Sequence, residues 1–306
     1  MATDEENEAP RPTLKHYIEF FPIWLSSKLF KHVPVDISTK IYGALGRWIG
    51  PLTPMNERAR TNLRFIWPDM PEAEVKRICR GVWDNFARVA NDYWTLHQIR
   101  RDRDRRVEIV GAENLDKVRE SGKPAILFSA HMGNWEMITI AARMRGLERL
   151  WFLYRTFNNP LMDELPRDWQ RASGTDLVTK GRPGARTISR ALSQGGAVIM
   201  LIDVRMNDGV AAPFLGVDAM TPSAPAALAL KYDAWLVPVR TERLQGAYFR
   251  VTVEEPRKAI TTGDKTADIQ ATTAWMNSWV SAWIEDRPEQ WMWLHWRWGK
   301  RPKRPA

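Results

Sequence analysis

The sequence predicts an α/β fold: a mostly parallel central sheet covered by helices, preceded by amphipathic helices. Two observations carry this. From Val107 onward, short apolar runs alternate with stretches of helical periodicity, as expected of repeated strand-helix-strand units. Glycines stand where those helices should end, at Gly146, Gly174 and Gly195-Gly196.

Taken in order, the acid-rich start MATDEENEAP forms a disordered tip, assigned to residues 1–13. Residues 14–106 follow as a helical region for membrane association and packing. Two short amphipathic helices occupy 14–50. In the second, Asp36 is placed to cap, and Ile37, Ile41, Leu45, Trp48 and Ile49 recur every three or four residues before Gly50-Pro51 stops the run. Such a face ordinarily docks on the protein's own core; a membrane surface is the alternative. A long helix is expected over 71–96, with Pro71 in its first turn and Val75, Ile78, Val82, Phe86, Val89 and Tyr93 along one stripe. Cys79 lies beside that stripe as packing rather than as a nucleophile. The run RRDRDRR at 100–106 alternates in sign and is expected to be a solvated connection.

The α/β domain is assigned to 107–300, with a basic tail at 301–306. Its expected strands are 125–130, 149–155, 175–179, 197–203, 234–240 and 247–253. Helices are expected at 135–145, 160–172, 183–194 and 223–231, and at 267–285, where Trp275, Trp279 and Trp283 stack at i, i+4 and i+8. In such an arrangement the ligand site lies at the C-terminal ends of the strands.

Composition narrows the partners. Lys and Arg outnumber Asp and Glu by 45 to 36, and the resulting charge of +9 favours anionic partners. A single cysteine excludes an internal disulfide and a multi-cysteine zinc site. No basic and apolar signal-peptide pattern opens the chain, so no export is expected. The run FFPIWL is cut by Pro22 and followed by Ser26, Ser27 and Lys28, so it falls short of the roughly 20 apolar residues that span a bilayer. Most of the sixteen tryptophans belong to the core, while indoles beside basic residues also suit a lipid interface.

The chemistry concentrates at AILFSAHMGNWEM, residues 125–137. The apolar run forms a strand, Gly133 permits a tight turn, Asn134 caps, and an apolar helix follows. His131 therefore ends the strand and Glu136 opens the helix. The turn lets the two side chains converge, so that the carboxylate fixes one ring nitrogen and frees the other to take a proton. Equally open is a bland reading, in which His131 bonds a backbone carbonyl and Glu136 complements the helix dipole. No HExxH pattern supports a metal site, and no G-x-S-x-G elbow supports a serine hydrolase.

HMGNWE resembles the His-x4-Glu signature of the glycerolipid acyltransferase superfamily. Together with YRTFNNPL, TTAWMN and PEQWMWLHWRW, over about 14–302, it is similar to the bacterial lipid A biosynthesis late acyltransferases, the lauroyl and myristoyl transferase family. The resemblance implies a glycerolipid acyltransferase-like fold and an O-acyltransferase without cofactor or metal. Its donor would be an acyl carrier protein thioester and its acceptor a Kdo-bearing lipid A precursor. It would work peripherally or monotopically at the cytoplasmic face of the bacterial inner membrane, against an anionic membrane surface.

By the same resemblance, His131 is the base, Glu136 assists it, and Arg155, Asn159, Arg171 and Asp203 bind substrate. The chain departs from the family in continuing Asp203 with Val204-Arg205, in Pro222 and Pro225, and in a short, broken N-terminal hydrophobic anchor. Two other readings are an acyltransferase for another glycolipid or phospholipid, and a non-catalytic lipid- or nucleic-acid-binding protein. The second rests on WMWLHWRWGKRPKR, where His295 is expected to be structural and no nucleic-acid motif is present.

Overall fold

A computed structural model describes residues 12–154, 156–163 and 174–299. Helices α1 (Leu14–Phe30), α2 (Val35–Ile49), α3 (Met55–Ile66) and α4 (Glu72–Arg101) come first. A short α5 (Arg103–Arg106) leads into β1 (Val107–Val110), α6 (Ala112–Ser121), β2 (Ala125–Ser129), α7 (Met137–Met144) and β3 (Leu150–Tyr154). There follow β4 (Asp176–Thr179), α8 (Arg182–Ser193), β5 (Ala197–Leu201), β6 (Val210–Phe214), β7 (Val217–Thr221) and α9 (Ala224–Tyr232). The last elements are β8 (Trp235–Gln245), β9 (Tyr248–Val253) and α10 (Lys265–Asp286).

Seven strands form the main sheet in the order β1-β9-β8-β2-β5-β3-β4, and only the β8–β9 pair is antiparallel. All six expected strands are present within a few residues. β1, α3, α6 and the β6–β7 hairpin add to the expected set; their short or polar segments give little periodicity. Of the helix expected at 160–172, the described part is a 3-10 turn at Pro160–Asp163, and 164–172 lies outside the described residues.

The unbroken apolar character of β2 has a simple cause. Ile126 and Phe128 pack with Val198 and Met200 of β5 on one face, and Ala125 and Leu127 pack with Ala197 and Ile199 on the other. Both faces are covered, so alternation would expose nothing to water. Cys79 sits in the first of these cores, and burial pushes its thiol up to about 11, which agrees with a packing role.

Two expectations about the helical region are corrected. The face of α2 bearing Ile37, Ile41, Leu45, Trp48 and Ile49 does not dock on the core: all five are exposed, Trp48 to 79%. α2 instead packs against α4 through its small residues. A Cβ at Gly46 would collide with the backbone carbonyl of Trp83, so glycine there permits the close approach. The run 100–106 is not wholly solvated either. Arg106 is buried and donates two bonds, each of 2.8 Å, to the carboxylate of Asp36 in the first turn of α2. Burying the guanidinium is tolerable because the bidentate pairing satisfies its donors.

Candidate active site

β2 and β5 are parallel neighbours whose register ends with Ser129 opposite Leu201. The Ile202 N–H donates to the Ser129 carbonyl at 2.9 Å, extending the ladder past the assigned strand ends. The register therefore sets residue 131 beside residue 203. His131 and Asp203 meet at the C-terminal edge of the sheet, with 2.8 Å between ring Nδ1 and Asp203 Oδ1.

Asp203 is fully buried and well supplied with donors. Its Oδ2 accepts the His131 backbone N–H at 2.9 Å and the Trp291 indole N–H at 2.7 Å. Burial opposes its ionisation, but the His131 ring, His295 and the indole bond outweigh this and hold its carboxyl well below the usual carboxylate range. An ionised Asp203 fixes the proton of His131 on Nδ1. Nε2 is then left with its lone pair and has no hydrogen bond among the described residues, and the ring keeps 20% of its surface exposed. The ring of Trp135 stands edge-on to it at 4.9 Å.

This arrangement corrects the expected pairing of His131 with Glu136. Glu136 Oε1 accepts the Tyr93 hydroxyl at 2.7 Å, and neither of its oxygens is hydrogen-bonded to His131 among the described residues. Burial pushes the Glu136 carboxyl up to about 7, against the lowering influence of the Tyr93 bond, the Trp135 indole and the nearby His131 ring. The five-residue turn brings Glu136 near the histidine but directs it toward α4. Two residues that were read separately, one as base and one as substrate contact, instead form the dyad. Adjacency of the second and fifth strands was the missing information, because no local spacing links 131 to 203.

The turn itself is held by polar groups hidden within the apolar stripe of α4. Asn134 donates to Asp92 at 2.7 Å, and its side-chain oxygen accepts the Glu136 N–H at 3.1 Å. Arg243 of β8 donates to Asp92 at 2.6 Å and to Asn85 at 3.0 Å, while Asn85 donates to the Gly133 carbonyl at 2.9 Å. Gly133 has φ +56°, and a Cβ there would lie 2.5 Å from the Thr241 carbonyl oxygen. Glycine is thus required both by conformation and by space.

The C-terminal segment closes the site. Trp291 bridges to Met132 as in an antiparallel pair, and the Met292 N–H donates to the His131 carbonyl at 3.0 Å. His295 packs as a half-buried structural ring between the Met292 and Asp203 carbonyl oxygens, at 2.8 and 3.1 Å. Trp291, Trp293 and Arg297 are buried, so the described aromatic part of the run that suggested base stacking is largely turned inward.

Of the remaining expected contacts, Asn159 alone lies within the described residues, and its hydrogen bonds go elsewhere. Asn159 is buried and occupied: its amide donates to the His16 carbonyl of α1 at 2.9 Å and its oxygen accepts the Leu161 N–H at 3.1 Å. It ties α1 to the turn at 160–163 rather than offering itself to a ligand. Arg155 and Arg171 lie outside the described residues.

Residues 11–300 match the family described as bacterial lipid A biosynthesis acyltransferase. A lipid A biosynthesis lauroyltransferase of Escherichia coli is 28% identical over 283 residues, covering 88% of this chain and 89% of the relative. A lipid A biosynthesis palmitoleoyltransferase of the same organism is 24% identical, over 92% and 89%. A phosphatidylinositol mannoside acyltransferase of Mycolicibacterium smegmatis is 23% identical, over 80% and 81%.

Proposed function

The chain belongs to the bacterial lipid A biosynthesis acyltransferases, and on that premise we propose that it moves a fatty acyl group from an acyl carrier protein thioester to a hydroxyl of a Kdo-bearing lipid A precursor. His131 Nε2 takes the proton of the attacking hydroxyl as its oxygen adds to the thioester carbonyl. The tetrahedral intermediate collapses to the ester, and the carrier thiolate leaves with the proton held on His131. Asp203 orients the ring and stabilises the imidazolium between these steps. Glu136, poised about its own pKa of about 7 near the ring, can ionise in response to that charge. No nucleophilic side chain is needed, because the thioester is already activated. Arg155 and Arg171 are proposed to contact the acceptor phosphate or the developing oxyanion.

The observation that carries the reading is the free Nε2 of a histidine whose other nitrogen is fixed by a buried carboxylate. The exposed apolar faces of α1 and α2 support peripheral or monotopic attachment to the cytoplasmic face of the inner membrane. No helix among the described residues is long and apolar enough to cross a membrane. Purified protein given acyl carrier protein thioester and a Kdo-bearing lipid A precursor should yield a product heavier by one acyl chain, and His131→Ala should not. The match to a phosphatidylinositol mannoside acyltransferase favours one second reading, a different glycolipid acceptor. Competing the two acceptors in one reaction and weighing the products separates them; acylation of the mannoside alone overturns the lipid A assignment.

A further inference from the structure

A groove of about 800 Å³ opens beside the catalytic loop, between α2, α4 and the turn of the β8–β9 hairpin. Its walls carry Arg47, Lys76, Arg77, Arg80, Arg88 and Arg243, against only two carboxylates, Asp84 and Glu289. The ion pairs within it leave positive charge over. Arg47 and Arg88 share the single carboxylate of Asp84. Arg77 is held by Glu74 at 2.7 Å and Arg243 by Asp92 at 2.6 Å. Arg80 is exposed and has no hydrogen bond or ion pair among the described residues, and Lys76 reaches only Glu72, at 3.9 Å. Concave walls of one sign focus the field and draw in an anion with several acceptor oxygens.

The rim tells what the anion is attached to. Leu244, in the groove wall, is exposed, and Arg47 precedes Trp48 on the exposed apolar face of α2. A ligand seated here meets cations along the walls and the apolar side chain of Leu244 at the rim. The floor formed by Asn85 and Gln290 touches the turn that carries His131: Asn85 donates to the Gly133 carbonyl, and the Gly133 N–H donates to the Gln290 carbonyl at 3.0 Å.

We propose that this groove binds the phosphate of a lipid headgroup, seating it beside the catalytic loop at the membrane surface. The proposal rests on α2 facing the membrane. A free phosphate offers no apolar part for the rim, and the folded surface of an acidic protein fills a groove of this size less well than one headgroup.

The test uses full-length His131→Ala protein, so that binding is read without turnover, and two vesicle preparations: phosphatidylcholine alone, and phosphatidylcholine doped with phosphatidic acid. Doped vesicles should bind more tightly. The Lys76→Gln/Arg80→Gln pair, which removes two exposed cations, should lose about tenfold or more of that binding and leave binding to neutral vesicles unchanged. Arg186→Gln/Arg190→Gln on α8 removes the same charge elsewhere and should lose little. The proposal is overturned if both double variants lose equally, or if inorganic phosphate displaces the protein as readily as soluble phosphatidic acid does. It is also overturned if the two cations govern affinity for acyl carrier protein and not for doped vesicles. Failure to bind either vesicle would instead bring down the membrane-facing reading of α2.

Discussion

The sheet edge and the N-terminal helical pair use apolar residues in opposite ways. β2 buries every side chain, and its apolar run serves to deliver one polar residue, His131, to a fixed point. α2 does nearly the reverse: past Val35 at its start, Ser38, Thr39, Gly43 and Gly46 are its packed residues, and its large apolar side chains stand outside. α1 goes further, with no buried residue and Leu14, Ile18, Phe21 and Leu29 all exposed. Amphipathic periodicity therefore locates a face without saying what covers it. In the sheet the cover is helices from the same chain; at α1 and α2 no described residue covers the apolar faces, and a lipid surface is the cover proposed above.

The contrast can be broken in several places. The largest effect is expected at the sheet edge: Asp203→Asn keeps the shape but reverses the tautomer preference of His131, and kcat/KM should fall by about ten-thousand-fold. Glu136→Gln should cost less activity, because no hydrogen bond joins Glu136 to the ring; a greater loss than for Asp203→Asn would return the dyad to Glu136.

Glu136 has a second signature, in stability. An unfolded chain releases its proton near the ordinary 4.5, whereas the folded one holds it to about 7. Unfolding therefore releases a proton in that window, and this group lowers stability as pH rises through it. The loss is about 3 kcal/mol, fully present above the folded pKa. Urea melts should show Glu136→Gln gaining about that much on wild type between about pH 4 and pH 8, and a constant difference would refute the buried, raised carboxyl.

On the helical pair the readout changes. Leu45→Ser/Trp48→Ser should weaken vesicle binding by about a hundredfold by removing two exposed apolar side chains. The same variant should change thermal stability by less than about 0.5 kcal/mol, since neither side chain packs inside. Gly46→Val should do the opposite, costing about 2 kcal/mol by forcing α2 from α4. A large stability loss in the serine variant would show that the exposed face is core after all.

How far the site was legible follows the same division. His131 at a strand end and a turn at Gly133 are local facts, written in thirteen consecutive residues. Asp203 was visible as a residue at the edge of the sheet, but its partnership with His131 depends on which strands are neighbours. Asn85, Asp92 and Tyr93 were hidden because they share a helix with an apolar stripe, and Arg243 because it lies in a long strand far along the chain. Each holds the turn that carries His131 through contacts separated by more than forty residues in sequence.

The sequence by itself determined the alternation of strands and helices, the apolar identity of β2, the turn that frees His131, and the apolar stripe on α2, because each is fixed by backbone preference and side-chain period within a few residues. Only the tertiary structure decided that Asp203 rather than Glu136 meets the ring, and that the α2 stripe points outward. Both outcomes depend on register and on close approach, β5 beside β2 and Gly46 against Trp83. Those are properties of two segments at once, and no single stretch of chain contains them.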